Sequence, residues 1–218
     1  MHPVRISAAL FFATMLLACA GPVSAPQPGF YVVDQDRNGE IQAADGIDWG
    51  GFTKVLLAPA TVEFREDWVQ DQRRQYDNAV RDKDLERIKS ELSNALDELL
   101  FKELNEQGYT VTTESGADAM LFRPRIVDLD IYLPARVKSY IGFSMIDSKG
   151  RMRVELEIFD PVSGKLLLTS WRELHDPQEG VLELADSAGN QRAFYLMMRR
   201  WADWLLEGFE EAKSGAGI

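Results

Sequence analysis

Arg151-Met-Arg-Val-Glu-Leu-Glu-Ile-Phe159 alternates without a break. Met152, Val154, Leu156 and Ile158 fall on one side and the charged residues between them on the other, the period of a strand half-buried in an antiparallel sheet. Asp160-Pro-Val-Ser-Gly164 supplies a hairpin turn, so Lys165 to Leu174 is expected to pair back on it. Upstream, Ala119 to Leu133 gives a long extended stretch containing Pro124, and Val137 to Met145 a further one. Tyr109 to Thr113 is a short β run closed by the turn Glu114 to Asp118. Thr53 to Phe64 reads as a central strand with Pro59 at a bulge or at its end.

Two amphipathic helices complete the pattern. Over Asp84 to Gln107, Leu85, Ile88, Leu92, Ala95, Leu96, Leu99 and Leu104 recur at the spacing of one helix face. Asp82 or Asp84 is placed to cap the start and Gly108 the end. From Asn190 to Ala212 a second helix carries Phe194, Met197, Trp201, Leu205 and Phe209 on a core-facing stripe. Arg65 to Asp82, strongly charged with Trp68 and Tyr76, reads as a loop or a partly helical insertion. The expected fold is α+β: a two-layer sandwich, a mostly antiparallel mixed sheet with two helices packed on one face.

The start of the chain has a different composition. A basic Met1 to Arg5 precedes an apolar run, Ile6 to Ala18, suited to a signal-peptide core and too short to span a bilayer. It ends in Leu16-Leu-Ala-Cys19, which holds the only cysteine and resembles a bacterial lipobox. That resemblance implies cleavage between Ala18 and Cys19, a diacylglycerol on the Cys19 thiol and acylation of the new amino terminus. Several acyl chains, at roughly 0.8 kcal/mol for each buried methylene, make a durable anchor. Ala20 rather than aspartate follows the cysteine, which by resemblance to enterobacterial lipoproteins points to the outer membrane, with the domain facing the periplasm. The expected organisation is a signal peptide over 1–18, a flexible Pro/Ser/Gln/Gly tether over 19–29, an acidic segment over 30–50, one domain over 51–213 and a loose tail over 214–218.

The acidic segment contains Asp34-Gln-Asp36-Arg-Asn38-Gly39-Glu40-Ile41-Gln-Ala-Ala-Asp45. Its oxygen side chains match the calcium-loop spacing, with Asp34, Asp36 and Asn38 as side-chain ligands, Glu40 through its carbonyl and Asp45 at the twelfth position. The competing reading is a hairpin turn at Asn38-Gly39 surrounded by solvated acids. Calcium is therefore the one cofactor the sequence suggests.

A formal charge of -11 over 218 residues argues against nucleic acid, which needs clustered Lys and Arg. His2 leaves with the signal, so a histidine-based triad would have to use His175 at a strand end. No phosphate-cradling glycine loop and no cysteine or histidine cluster for zinc occurs. Asp128 and Asp130, alternating onto one side of a strand, are the carboxylate pair a hydrolase would use. The bland reading of both is surface chemistry, and the expected function is non-catalytic.

Gly51-Phe-Thr-Lys-Val-Leu-Leu-Ala-Pro-Ala-Thr-Val-Glu-Phe64 with Trp68, the long helix, and a closing helix bearing Phe194 and Trp201-Ala202 resemble a lipoprotein family of Gram-negative envelopes, the domain of unknown function numbered three-three-one-three. The resemblance implies an envelope lipoprotein and carries over no catalytic residue. The partners expected are the membrane, through the N-terminal lipid, and another envelope protein. Either a helix-free sheet face or the region of Trp68 would be the contact surface.

Overall fold

A computed structural model describes residues 26–76, 81–131, 145–146, 150–176, 183–184 and 187–215. In chain order they form β1 (Phe30–Asp36), β2 (Gly39–Ala44), a 3-10 turn (Trp49–Gly51), β3 (Lys54–Leu57), β4 (Thr61–Phe64), α1 (Trp68–Tyr76), α2 (Asp82–Glu106), β5 (Thr110–Thr112), β6 (Ala119–Ile131), β7 (Met145–Ile146), β8 (Gly150–Phe159), β9 (Leu166–His175), β10 (Glu183–Leu184) and α3 (Ser187–Ser214). The main sheet runs β1-β2-β9-β8-β6-β3-β5, with β4 also on β6, while β7 and β10 pair separately. Pairing is antiparallel from β1 to β6 and parallel among β3, β4, β5 and β6. This is the expected α+β sandwich with a mixed, mostly antiparallel sheet.

β8 lies at its centre for the reason its alternation gives. Val154, Leu156 and Ile158 are fully buried and Met152 nearly so. Each such side chain contributes about 1.5–3 kcal/mol by leaving water. They face α3, whose Phe194, Met197, Trp201, Leu205 and Phe209 are all buried. Phe209 joins the layers, its ring 5.4 Å from Trp49, 6.0 Å from Tyr109 and 6.1 Å from Phe122. Gly208 lets α3 approach β2, because a Cβ there would stand 2.3 Å from the Ile41 Cδ1.

The stretch expected as one strand is two. β3 ends opposite Phe122 and β4 begins opposite Arg125; the Ala58 N–H still donates to the Phe122 carbonyl at 2.9 Å, and Pro59-Ala60 then interrupts the ladder. Pro124 of β6 falls opposite the gap, where a residue without an N–H leaves no neighbouring strand short of a donor. Helix α2 closes the break. The Ser93 hydroxyl donates to the Ala60 carbonyl at 2.7 Å, and the Asp97 carboxylate accepts from the Ala60 N–H at 3.0 Å.

Two further expectations change. Residues 30–44, read as a segment ahead of the domain, are strands of its sheet: β2 pairs with β9 over Ala43 to Gly39. The composition that suggested a separate acidic segment comes from turn and edge residues. At the start of α2 neither Asp82 nor Asp84 is the cap; Arg81 holds that position without a side-chain cap bond and pairs with Asp84 at 2.9 Å. The other end follows the sequence. Gly108 takes a left-handed φ of +88°, and the Gly108 and Tyr109 amides donate to the carbonyls of Asn105 and Leu104.

Candidate functional site

Helices α2 and α3 pack on one side of the sheet, where Trp68 of α1 joins the same core, and no described helix packs on the other. That second face is built from the residues of β6, β8 and β9 that alternate away from the core. On β8, Arg153, Glu155 and Glu157 stand between the buried positions and opposite Glu173, Trp171 and Thr169 of β9. The Arg153 guanidinium lies 5.4 Å from the centre of the half-buried Trp171 ring and 3.1 Å from the Glu173 carboxylate. Arg125 of β6 lies between Glu63 at 3.8 Å and Glu155 at 3.7 Å, and Arg123 covers the Phe159 ring at 4.6 Å. The face is a lattice of opposed charges with one indole set into it, suited to reading a polar partner surface and too flat to enclose a small molecule.

Glu40 and Gln42 of β2 lie toward the same side and are buried, with the Gln42 side-chain amide donating to the Glu40 carboxylate. The Gln27 backbone N–H donates to the Gln42 side-chain oxygen at 3.0 Å. Gln27, near the end of the expected tether, thus meets the domain beside this face.

The stretch from Asp34 to Asp45, expected as a calcium loop or a hairpin turn, lies in the β1–β2 hairpin. Its turn is Arg37-Asn38, one residue ahead of the expected one, with Asp36 paired to Gly39. The carboxylates diverge. Asp34 accepts from the Trp204 indole and Asp36 from Arg172 at 2.9 Å, both on the helix side. Glu40 points to the other face. Asp45 follows the last residue of β2, some 20 Å along an extended strand from Gly39. Asn38 donates its own backbone N–H to Asp36. Among the described residues no group of three or more His, Cys, Asp or Glu side chains could hold a metal ion. Gly39 is required for another reason: a Cβ there would meet the Trp171 carbonyl oxygen at 2.7 Å.

The remaining candidates are scattered. Asp128, at φ +51°, sits in a bulge of β6 and faces Arg153 at 4.0 Å. Asp130 is held by Arg65 at 3.0 Å and Arg151 at 3.4 Å, and the Asp71 carboxylate with Asp130 raises the Arg65 guanidinium further above its ordinary range. His175 is exposed at the end of β9 opposite Arg151. Trp68 is no contact surface: it is fully buried, stacks on Phe64 at 4.5 Å and donates its indole N–H to the Ile131 carbonyl at 3.1 Å. Ala18 and Cys19 lie outside the described residues. The site the sequence reading missed in detail is Arg153 over Trp171, whose only signal was that both alternate away from the core.

Residues 39–205, from β2 into the second half of α3, match the model of a protein family of unknown function, DUF3313. The chain belongs to this family. The DUF3313 span includes every strand that builds the charged face and leaves out β1. No curated protein matches the chain. Among solved structures it is similar to the PelC dodecamer from Paraburkholderia phytofirmans, with 9% identity, 74% of this chain and 93% of that one covered, and a TM-score of 0.38. It is also similar to a Xanthomonas campestris protein matched to DUF330, with 8% identity, 75% and 86% covered, and a TM-score of 0.35. Resemblance this distant carries no argument about activity.

Proposed function

We infer that this DUF3313 protein is a non-catalytic lipoprotein, held at the outer membrane by lipid on Cys19, whose domain binds another envelope protein through the charged sheet face. The observation that carries the reading is Leu16-Leu-Ala-Cys19, with the chain's only cysteine directly after an apolar run of signal-peptide length. No described helix is long and apolar enough to cross a membrane. The carboxylates a hydrolase would need are engaged with arginines that fix β6 to its neighbours.

Two measurements test the two halves. Radiolabelled palmitate should appear on the wild-type chain and disappear from Cys19→Ser; label that persists on the variant, or is absent from both, removes the anchor. A photo-crosslinking side chain at position 171 should capture one envelope protein in intact cells, while one at the exposed Val162 should not. Equal, diffuse capture at both positions removes the docking face.

A further inference from the structure

Helix α3 has a second surface that neither the core nor the sheet face uses. Opposite its buried stripe, Arg192, Tyr195, Leu196, Arg199 and Arg200 are exposed at the three and four spacing of one helix face. Tyr195 at 44% and Leu196 at 37% exposure are two of the four large apolar side chains left open to solvent among the described residues. None of the three arginines makes an ion pair or hydrogen bond among the described residues, in a chain of formal charge -11. The same face continues toward the C-terminus as Asp203, Glu207, Glu210 and Glu211, all exposed. Among the described residues only Glu210 of these forms an ion pair, with Lys213 at 2.8 Å on its own helix. The exposed face is therefore basic over its first half, acidic over its second, and apolar at two positions within the basic half.

We propose that this face of α3 is a self-recognition surface, on which two copies of the chain pair their third helices antiparallel about a two-fold axis near Trp201. The axis follows from the charges. An antiparallel pairing centred there, which is also the middle of the helix, sets Arg192 of each copy against Glu210 of the other, Tyr195 against Glu207 and Arg199 against Asp203. Each pair occurs twice, as an isologous contact requires. Opposite charges that meet in one register and like charges that meet in the parallel one also fix the orientation.

The other occupants satisfy only half of the surface. An anionic bilayer that attracted residues 192–200 would repel 203–211, which lie in line on the same face, and would repel the acidic body as well. An acidic protein would leave the carboxylates facing like charge. A second copy matches both halves. With few apolar side chains the contact is small and mostly polar, so it belongs to the weak, transient class. Confinement on one membrane would raise the effective concentration of copies, though the pairing itself does not depend on lipid at Cys19.

The test uses the full chain in its own membranes, with two epitope-tagged copies and a photo-crosslinking side chain at position 196. Cross-links between the two tags are expected, and a cross-linker at Val162 should give none. Reversing the basic half (Arg192→Glu, Arg199→Glu, Arg200→Glu) or the acidic half (Asp203→Arg, Glu207→Arg, Glu210→Arg) in both copies should drop the yield to the Val162 level. Combining one copy of each kind should restore it. All six positions are exposed, so the folded domain tolerates the changes, and circular dichroism of each variant checks this. Unchanged yield in the reversed variants overturns the proposal, as does capture of a different protein in place of the second copy. So does binding to phosphatidylglycerol vesicles that is lost with the three arginines.

Discussion

The two faces of one sheet do different work with the same strands. On the helix side, β8 presents Val154, Leu156 and Ile158, each fully buried. On the opposite side, the intervening Arg153, Glu155 and Glu157 are half-buried at most, and Arg153 and Glu155 meet other charges across the strands. Backbone, register and hydrogen bonding are shared, so what separates the faces is removal of apolar area from water on one and solvated charge on the other. Burial of apolar groups contributes kilocalories per side chain, whereas an exposed ion pair contributes about 0–1 kcal/mol. Stability should therefore be concentrated on one face, which leaves the other free to be shaped by a partner.

The largest expected effect comes from Phe209→Ala. The substitution removes the ring against which Trp49, Tyr109 and Phe122 pack, and should cost about 3–5 kcal/mol in urea unfolding. A loss under about 1 kcal/mol would mean that the helix layer is not what stabilises the sheet. Gly150→Ala comes next. At φ +142° its Cβ would stand 2.3 Å from the Asp130 carbonyl oxygen and 3.1 Å from the Phe194 ring, so strand and helix must both shift. Strain and overpacking together should cost about 1–3 kcal/mol.

How much of this was legible differs between the faces. Alternation in 151–159 and the helical stripes assigned the core side chains correctly, because burial imposes a period that the sequence must obey. Asp34 to Asp45 was ambiguous for a physical reason. A calcium loop and a β-hairpin both place short acids and a glycine around a tight bend, and only the register, with Asp34 and Asp36 on one side and Glu40 on the other, separates them. The break at Pro59-Ala60 was hidden because its stabilising groups, Ser93 and Asp97, come from a helix over thirty residues away. The pairing of Arg153 with Trp171 was likewise a long-range fact about strand neighbours.

The break supplies the third, smaller prediction. Asp97→Ala leaves the Ala60 amide without its acceptor and should cost about 1 kcal/mol at neutral pH. Burial raises the Asp97 carboxyl above its ordinary value, against the opposing pull of the Ala60 N–H. With the folded value above the unfolded one, protonation favours the folded chain. This contribution is complete below the unfolded carboxyl value of about 4 and is lost as pH rises through the folded value. Asp97→Asn keeps an oxygen for Ala60 and removes the charge, so it should equal or exceed the wild type at pH 7. Its advantage should shrink in melts at progressively lower pH. If Asp97→Asn were as damaging as Asp97→Ala at neutral pH, the charge itself would be what closes the break.

The smallest effect is expected on the charged face, and there the comparison is most exposed to refutation. Arg153 lies 3.1 Å from Glu173 and 4.0 Å from both Asp128 and Glu155, with all four side chains between 26% and 61% exposed. Its Nε has no partner among the described residues, which offsets part of what the pairs contribute. Arg153→Gln should therefore change stability by no more than about 0.5–1 kcal/mol. The difference should fade near 1 M salt, where the screening length is about 3 Å. A loss of about 2 kcal/mol or more that salt does not touch would require Arg153 to be desolvated. Something would then have to lie over this face in the isolated protein, and the surface assigned to a partner would already be filled.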